Sequence, residues 1–319
     1  MDLEEFLAEW HNDSPTVLVH TSGSTGQPKP MLVEKRRMEA SARITCRFLK
    51  LKEGNTALLC MSLDYIAGKM MVVRALTCGL RLVAVEPCGC PSWEGDVDFA
   101  AMVPLQVFNL LQTAEGRERL IHIRHLIIGG GAIDDALSRV LISFPNQIWS
   151  TYGMTETLSH IALRRLNGPE ASEWYTPFEG VTLSQDENGC LVIDAPAVHD
   201  GMLITNDIVD IRADGCFKVL GRRDNVICSG GIKIQIEEVE RLLKPQLPFP
   251  FCITKRKDAK FGDAVVLLTE GDVDVARQVC HQALPKHWVP RHFLLVAQIP
   301  LTPTGKVARK VAEQMALIA

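Results

Sequence analysis

The chain has 319 residues, 47% of them hydrophobic and 23% charged, enough apolar material for one large domain or two ordinary ones and too much for a disordered tail. A formal charge of -4, from 34 Lys and Arg against 38 Asp and Glu, excludes the broad basic face that gathers nucleic-acid phosphates. No apolar run approaches the ~20 residues that cross a bilayer, and the acidic opening MDLEEFLAEW lacks the basic and apolar regions of an export signal.

From Thr16 to about Met154, short β-branched or apolar runs alternate with helix-length segments, the pattern that yields parallel strands joined by helices. The strand TVLVH (16–20) comes first, followed by an amphipathic helix from Glu34 to Leu51, the strand ALLCM (57–61) and a helix from Ile66 to Thr77 stopped by Gly79. LRLVAV (80–85), HLIIGG (125–130) and QIWSTY (147–152) are further strands, with a short helix from Asp134 to Phe144 before the last. After Asn167 come brief strands with turn signals, including a hairpin tip at Glu187-Asn188-Gly189 and another turn at Ala213-Asp214-Gly215. A third texture starts near Gly221: a Gly-Arg-Arg-Asp turn, a Ser-Gly-Gly hairpin, a helix from Gln235 to Leu243, a strand at Ala264 to Thr269 and a polar tail. The expected boundary is Asp224, giving a first domain of residues 1–223 and a second of 224–319. The ten Cys are scattered from Cys46 to Cys280 through apolar segments and are expected to be reduced, in a soluble cytoplasmic protein.

Four segments carry chemistry. Directly after the first strand, Thr21 to Lys29 reads TSGSTGQPK: Gly23 and Gly26 let the backbone approach a ligand, the hydroxyls of Thr21, Ser22, Ser24 and Thr25 can donate to phosphate oxygens, and Lys29 adds positive charge. It is not a Walker loop, because no Gly-Lys-Ser/Thr follows the second glycine, and a solvated Ser/Gly turn has the same composition. The second segment, YGMTET, offers Tyr152 as a stacking face beside Gly153, the hydroxyl of Thr155, and Glu156 as a carboxylate suited to Mg²⁺. In the third, Asp207 can chelate paired ribose hydroxyls and Arg222 can donate to the same sugar or phosphate. The fourth, PLTPTGK, places Lys306 on a loop bracketed by Pro and Gly. Each segment alone could be a surface turn.

In this order and spacing the segments resemble the adenylate-forming superfamily of acyl-CoA synthetases, luciferases and peptide-synthetase adenylation domains, from Thr16 to Lys310. The resemblance implies an α/β fold: a truncated adenylate-forming lobe with a parallel αβ sheet and a β-rich subdomain, joined by a hinge to a small α+β C-terminal domain. It implies ATP, Mg²⁺ and coenzyme A as cofactor and co-substrates, a carboxylic acid as substrate, formation of an acyl-adenylate with release of pyrophosphate, and transfer of the acyl group to a thiol. By position, the implied contacts are Thr21 to Lys29 on the β- and γ-phosphates, Thr155 on the α-phosphate, Glu156 on Mg²⁺, Tyr152 on adenine, and Gly130 and Gly131 as bare backbone beside the ligand. Lys306 would place positive charge between the attacking carboxylate and the α-phosphate, where the reaction must overcome anionic repulsion. Asp224 would be the hinge, and Gly230 and Gly231 would leave room for a pantetheine arm.

The phosphate loop starts closer to the N-terminus than in most relatives, so the resemblance implies no substrate contacts from the usual N-terminal region, and a homodimer is expected to cover the exposed flank. The shortened form, with YIAGKMMVVRA and MTETLSHIALR, most resembles the o-succinylbenzoate:CoA ligases of menaquinone synthesis. Their acid carries a second carboxylate that must be held without reacting, and Lys69, Arg74, Ser159 and His160 could supply a cationic and hydrogen-bonding clamp. Lys69 and Arg74 could equally point to solvent from an amphipathic helix. The basic run Lys255, Arg256, Lys257 and Lys260 is expected to be a solvated loop, and the pairs His122/His125 and Cys88/Cys90 to be structural rather than zinc ligands. Another aryl- or acyl-CoA ligase of the same superfamily, and a non-catalytic nucleotide or acyl-adenylate sensor on the same fold, stay open as alternatives.

Overall fold

The computed structural model describes all residues except 21–29, 132, 134, 303–305 and 319. The chain divides into two compact units. The first comprises Met1–Ser184, Val192–Ile204 and Ile211–Lys218; the second comprises Gln185–Leu191, Thr205–Asp210 and Val219–Ala319. No described helix is long and apolar enough to cross a membrane.

The first unit opens with α1 (Leu3–His11), β1 (Thr16–His20), β2 (Pro30–Glu34) and α2 (Lys35–Phe48). It continues through β3 (Thr56–Leu59), α3 (Ile66–Cys78), β4 (Arg81–Ala84), β5 (Val97–Met102), α4 (Pro104–Leu110), α5 (Ala114–Ile121), β6 (Ile123–Ile128), α6 (Asp135–Leu141), β7 (Gln147–Gly153), β8 (His160–Arg165) and β9 (Thr176–Pro177). A seven-stranded sheet has the order β4-β3-β5-β6-β7-β8-β9, parallel through β7 and antiparallel beyond it. Leu58, Ala100, Leu126 and Ile148, from four neighbouring parallel strands, meet Val107, Leu110, Leu120 and Leu141 of α4, α5 and α6 in one core. With the central strands covered by helices, their sequences lose the alternation of half-exposed strands and read as apolar runs.

The parallel core matches the expectation from the sequence, with one exception. TVLVH does not join that sheet: β1 pairs antiparallel with β2, Val17 opposite Val33 and Leu18 opposite Leu32. The physical reason is connection length. Only nine residues separate the strands, whereas a parallel return needs a crossover of a dozen or more. The sequence reading also passed over β5, whose Asp98, Ala100 and Ala101 weaken its strand signal. Asp98 nevertheless belongs there, because its Oδ2 accepts from Thr56 N at 2.8 Å and stitches β5 to β3.

A four-stranded sheet runs in the order β10 (Thr182–Gln185), β11 (Cys190–Asp194), β12 (Met202–Ile211) and β13 (Phe217–Arg222). Its two expected tips are present: Gly189 N donates to Asp186 O at 3.0 Å and Gly215 N to Arg212 O at 2.9 Å.

The second unit then runs through β14 (Val226–Ser229), β15 (Ile232–Gln235), α7 (Ile236–Leu243), β16 (Phe251–Asp258), β17 (Gly262–Thr269), α8 (Val273–Ala283), β18 (His292–Leu295) and α9 (Arg309–Ile318). Val265 and Leu267 of β17 pack with Val239 and Leu243 of α7 and with Ala276 and Cys280 of α8. Val266 and Leu268, on the opposite face, pack with Ala312 and Ala316 of α9. The expected polar tail is therefore ordered structure. Small residues four apart give α9 a narrow apolar stripe that its charged positions obscure in the sequence.

Candidate active site

Parallel sheets place ligands at the carboxyl ends of their strands, and two expected segments stand there on neighbouring strands. After β6, Gly130 adopts φ +78°, a left-handed conformation that a side chain would strain, and Gly131 follows it. At the end of β7, Tyr152 meets Phe217 edge to face (5.0 Å between ring centroids, 83°) and tilts against Tyr175 at 5.9 Å. Tyr175 stacks on Phe217 and its hydroxyl lies 2.8 Å from Ser150 Oγ, so Tyr152 sits in a fixed aromatic cluster. A Cβ at Gly153 would lie 2.2 Å from Ser159 O, so only glycine allows this close return of the chain.

The turn after β7 is a single 3₁₀ turn, Thr155–Thr157. Thr157 Oγ1 accepts from Met154 N at 3.1 Å and donates to Ser159 O at 2.7 Å, while Leu158 is held at φ +64° although buried. Thr155 is buried. Glu156 is part-exposed, and none of the described residues forms a hydrogen bond or ion pair with its carboxylate. A hard oxygen donor that no described residue pairs fits Mg²⁺, which binds through one or two carboxylates plus phosphate oxygens.

On the other side of this turn lies a buried polar chain. Arg74, on α3, is 1% exposed. Its Nη2 donates to Ser159 Oγ at 2.6 Å, Nη1 lies 3.9 Å from Met71 Sδ, and Nε is buried without a partner among the described residues. Ser159 Oγ is 3.1 Å from His160 Nδ1, His160 Nε2 is 3.1 Å from Thr45 Oγ1, and Thr45 Oγ1 donates to Ser41 O at 3.1 Å. One proton assignment satisfies the chain: Arg74 donates to Ser159, Ser159 donates to Nδ1, and Nε2–H donates to Thr45. His160 is then neutral, in keeping with a pKa that burial, and secondarily the Arg74 charge, pushes well below the usual value. Burial also lowers the Arg74 pKa to about 10, and no carboxylate among the described residues forms an ion pair with it.

Lys69 is not brought to Arg74. Five positions along a helix turn it away, and its buried Nζ donates to Leu18 O at 3.0 Å and Glu9 Oε2 at 3.3 Å, 5.1 Å from the centre of the Phe6 ring. It does not point to solvent. Thr21, Ser22, Gly23, Ser24, Thr25, Gly26 and Lys29 lie outside the described residues.

The second unit gathers the remaining polar residues. Arg222 Nε lies 3.8 Å from Asp207 Oδ1, and its Nη2 lies 3.4 Å from Asp224 Oδ2. Asp224 Oδ2 also accepts from Asn206 Nδ2 at 3.1 Å, and Arg223 Nη2 donates to Asn206 Oδ1 at 2.7 Å. Lys306 is bonded to Thr302 at both ends of its main chain, its N donating to Thr302 Oγ1 at 3.1 Å and its O accepting from Thr302 N at 2.7 Å. Its pKa is lowered by burial and by the charge of Arg222, with Asp207 acting in the opposite sense. Thus Asp207, Arg222 and Lys306, which are far apart in sequence, share one electrostatic neighbourhood.

Gly230 and Gly231 form the turn between β14 and β15, and Gly230 N donates to Phe261 O at 2.8 Å. Lys255, Arg256 and Lys257 lie on strand β16 rather than on a loop: the exposed Lys257 Nζ donates to Asp263 Oδ1 at 2.8 Å, and Arg256 Nη2 lies 3.1 Å from His292 Nδ1 on β18. The sequence reading missed Thr45, which terminates the buried chain, because nothing local distinguishes it from any other helical threonine.

Comparison with known proteins accords with this arrangement. Residues 4–194 match the model of the AMP-binding enzyme family. The 2-succinylbenzoate–CoA ligase of Bacillus cereus (strain Q1) is 24% identical, over 98% of this chain and 72% of that protein. The counterpart from Geobacillus sp. (strain WCH70) is 25% identical, over 98% and 71%. Among solved structures, an acyl-CoA synthetase (AMP-forming)/AMP-acid ligase II-like protein from Dyadobacter fermentans is 32% identical with a TM-score of 0.66, covering 98% of this chain and 93% of that one. The Bacillus subtilis o-succinylbenzoate coenzyme A synthetase (MenE), solved with ATP and magnesium, shares the fold with a TM-score of 0.75 at 21% identity, covering 92% and 68%. By the extent of the family match and the identity to the Dyadobacter protein, the chain belongs to the AMP-binding enzyme family.

Proposed function

We propose that this AMP-forming acid–CoA ligase activates o-succinylbenzoate, as a step of menaquinone synthesis in the cytoplasm. In the first half-reaction a carboxylate oxygen attacks the α-phosphorus of ATP, the bond to the β-phosphate oxygen breaks, and pyrophosphate leaves. In the second, the thiolate of coenzyme A attacks the acyl carbon, AMP leaves, and the thiol proton passes to solvent.

The observation that supports this acid is Arg74, a buried guanidinium with no ion-pair partner among the described residues. An uncompensated charge in a dry site is unfavourable until an anion enters. A second, non-reacting carboxylate is such an anion, and Arg74 with Ser159 offers it charge-assisted hydrogen bonds. A fatty acid would call for an apolar pocket instead. The neutral His160 and Thr45 hold Ser159 in place.

The remaining residues take their roles on the nucleotide. Tyr152 lies against adenine beside Gly130, Gly131 and Gly153; Asp207 and Arg222 hold the ribose; Thr155 holds the α-phosphate; Thr21 to Lys29 hold the outer phosphates. Glu156 would hold Mg²⁺, which neutralises charge on the phosphates when bound. Lys306 supplies positive charge where it accumulates on the α-phosphate. Asp224 is the hinge between the proposed domains 1–223 and 224–319, and Gly230 and Gly231 make way for the pantetheine arm in the second half-reaction.

The test offers the purified protein ATP, Mg²⁺, coenzyme A and a panel of aromatic, aliphatic and dicarboxylic acids, following AMP and thioester together. o-Succinylbenzoate should give the highest kcat/KM. Preference for a monocarboxylic acid would overturn the substrate, and no AMP with any acid would overturn the ligase.

A further inference from the structure

The turn that carries Thr155 and Glu156 uses nearly all its main-chain acceptors locally. Met154 O accepts from Thr157 N at 3.2 Å, Thr155 O from Leu158 N at 2.9 Å, and Thr157 O from Ser159 N at 2.7 Å. The Glu156 carbonyl differs: its partner is His199 Nδ1, at 3.2 Å and 43 positions further along the chain. Backbone acceptors of a partly buried turn need partners, and here the partner comes from outside.

The same turn contains a strained residue. Leu158, 3% exposed, sits at φ +64° and ψ -33°, and such a conformation persists only where the surroundings over-determine it. Thr157 Oγ1 fixes Met154 and Ser159, and Arg74 fixes the Ser159 side chain. Neither acts on Glu156 itself; His199 does. Its own loop is firmly placed. Val198 N and His199 N both donate to Ala195 O at 2.9 Å, Ala195 and Val198 are buried, and the adjoining Asp200 pairs with Arg37 of α2.

We propose that His199 is a positioning residue: by donating Nδ1–H to the Glu156 carbonyl it holds the turn in the conformation that presents the Glu156 carboxylate to the metal of Mg–ATP. The inference rests on the functional reading above. It makes a stereochemical demand that a merely space-filling histidine would not. Asparagine places its Nδ2 where histidine places Nδ1 and keeps the donor, whereas leucine occupies the volume and donates nothing.

The test is calorimetric titration of the full chain with ATP, once with Mg²⁺ and once with EDTA, for the wild type, His199→Leu and His199→Asn. His199→Leu should weaken Mg–ATP binding about fivefold to tenfold, the scale of one lost hydrogen bond, and leave metal-free ATP within about twofold. His199→Asn should recover most of the Mg²⁺-dependent gain. Equal weakening with and without Mg²⁺, no weakening in His199→Leu, or failure of His199→Asn to recover would each overturn the positioning role. If the wild type binds no nucleotide, the functional reading itself falls and takes this inference with it. If it binds Mg–ATP normally while the variants behave alike, only the inference falls.

Discussion

Arg74 Nη2 and Ser159 Oγ lie 2.6 Å apart across 85 positions of sequence, joining α3 to the turn that carries Glu156. This bond holds a charge that no carboxylate among the described residues pairs, and it separates stability from function. Replacing a buried, unpaired ion by an apolar side chain of similar length is neutral or stabilising. Arg74→Met is therefore expected to keep or raise Tm while increasing KM for o-succinylbenzoate by about 10- to 100-fold, the worth of a charge-assisted pair. Thermal unfolding and steady-state kinetics together check it; an unchanged KM would remove Arg74 from substrate recognition.

Lys69 supplies the contrasting case. Its charge is matched by Glu9 and its Nζ is tied to Leu18 O, so Lys69→Met should leave KM for the acid near the wild-type value and lower Tm, because Glu9 is left without its partner. A large rise in KM at unchanged Tm would return Lys69 to the acid site.

Lys306→Ala should lower adenylation by about 10²- to 10³-fold, the effect of removing one preorganised charge donor. Thioester formation from a preformed acyl-adenylate should be affected far less. Acid-dependent exchange of pyrophosphate into ATP reports the first step, and single-turnover transfer to coenzyme A the second.

The same lysine predicts a pH dependence. Burial and Arg222 depress its pKa, so the fully charged, active form is present at low pH and adenylation declines as pH rises through that lowered value. Arg222→Gln removes a neighbouring positive charge, raises the Lys306 pKa and should move the alkaline limb to higher pH, even if the plateau rate drops. A limb that stays in place or moves to lower pH would exclude Lys306 as the titrating group.

Arg309 forks onto Glu240, with Nη1 to Oε1 and Nη2 to Oε2 both at 2.6 Å, and Nη1 also donates to Ile253 O at 3.0 Å. This pair ties α9 to α7 and β16, three residues after Lys306. Both side chains keep part of their surface in water, so Arg309→Met should cost about 2 kcal/mol of unfolding free energy, less than a fully buried pair. Urea denaturation measures it, and Glu240→Gln should cost less in the Arg309→Met background than alone.

Local pattern was enough to read much of this protein from its sequence. The parallel strands at 56–59, 81–84, 123–128 and 147–153 follow from β-branched runs, the helices at 35–48 and 66–78 from apolar periodicity, and the nucleotide-binding reading from the order of four motifs. Such signals are carried by residues a few positions apart, and periodicity reports only which face of an element is buried. Partnership across the fold leaves no trace of that kind. Nothing near Arg74 announces Ser159, and nothing near His160 announces Thr45, 115 positions away. The same limit hid Glu9 as the partner of Lys69, His199 as the partner of Glu156, and the antiparallel return of β1. Composition and spacing determined which chemistry the chain could support; packing alone decided which charges, like Lys69, meet a carboxylate within the protein and which, like Arg74, meet none among the described residues, because desolvation and pairing depend on three-dimensional neighbours.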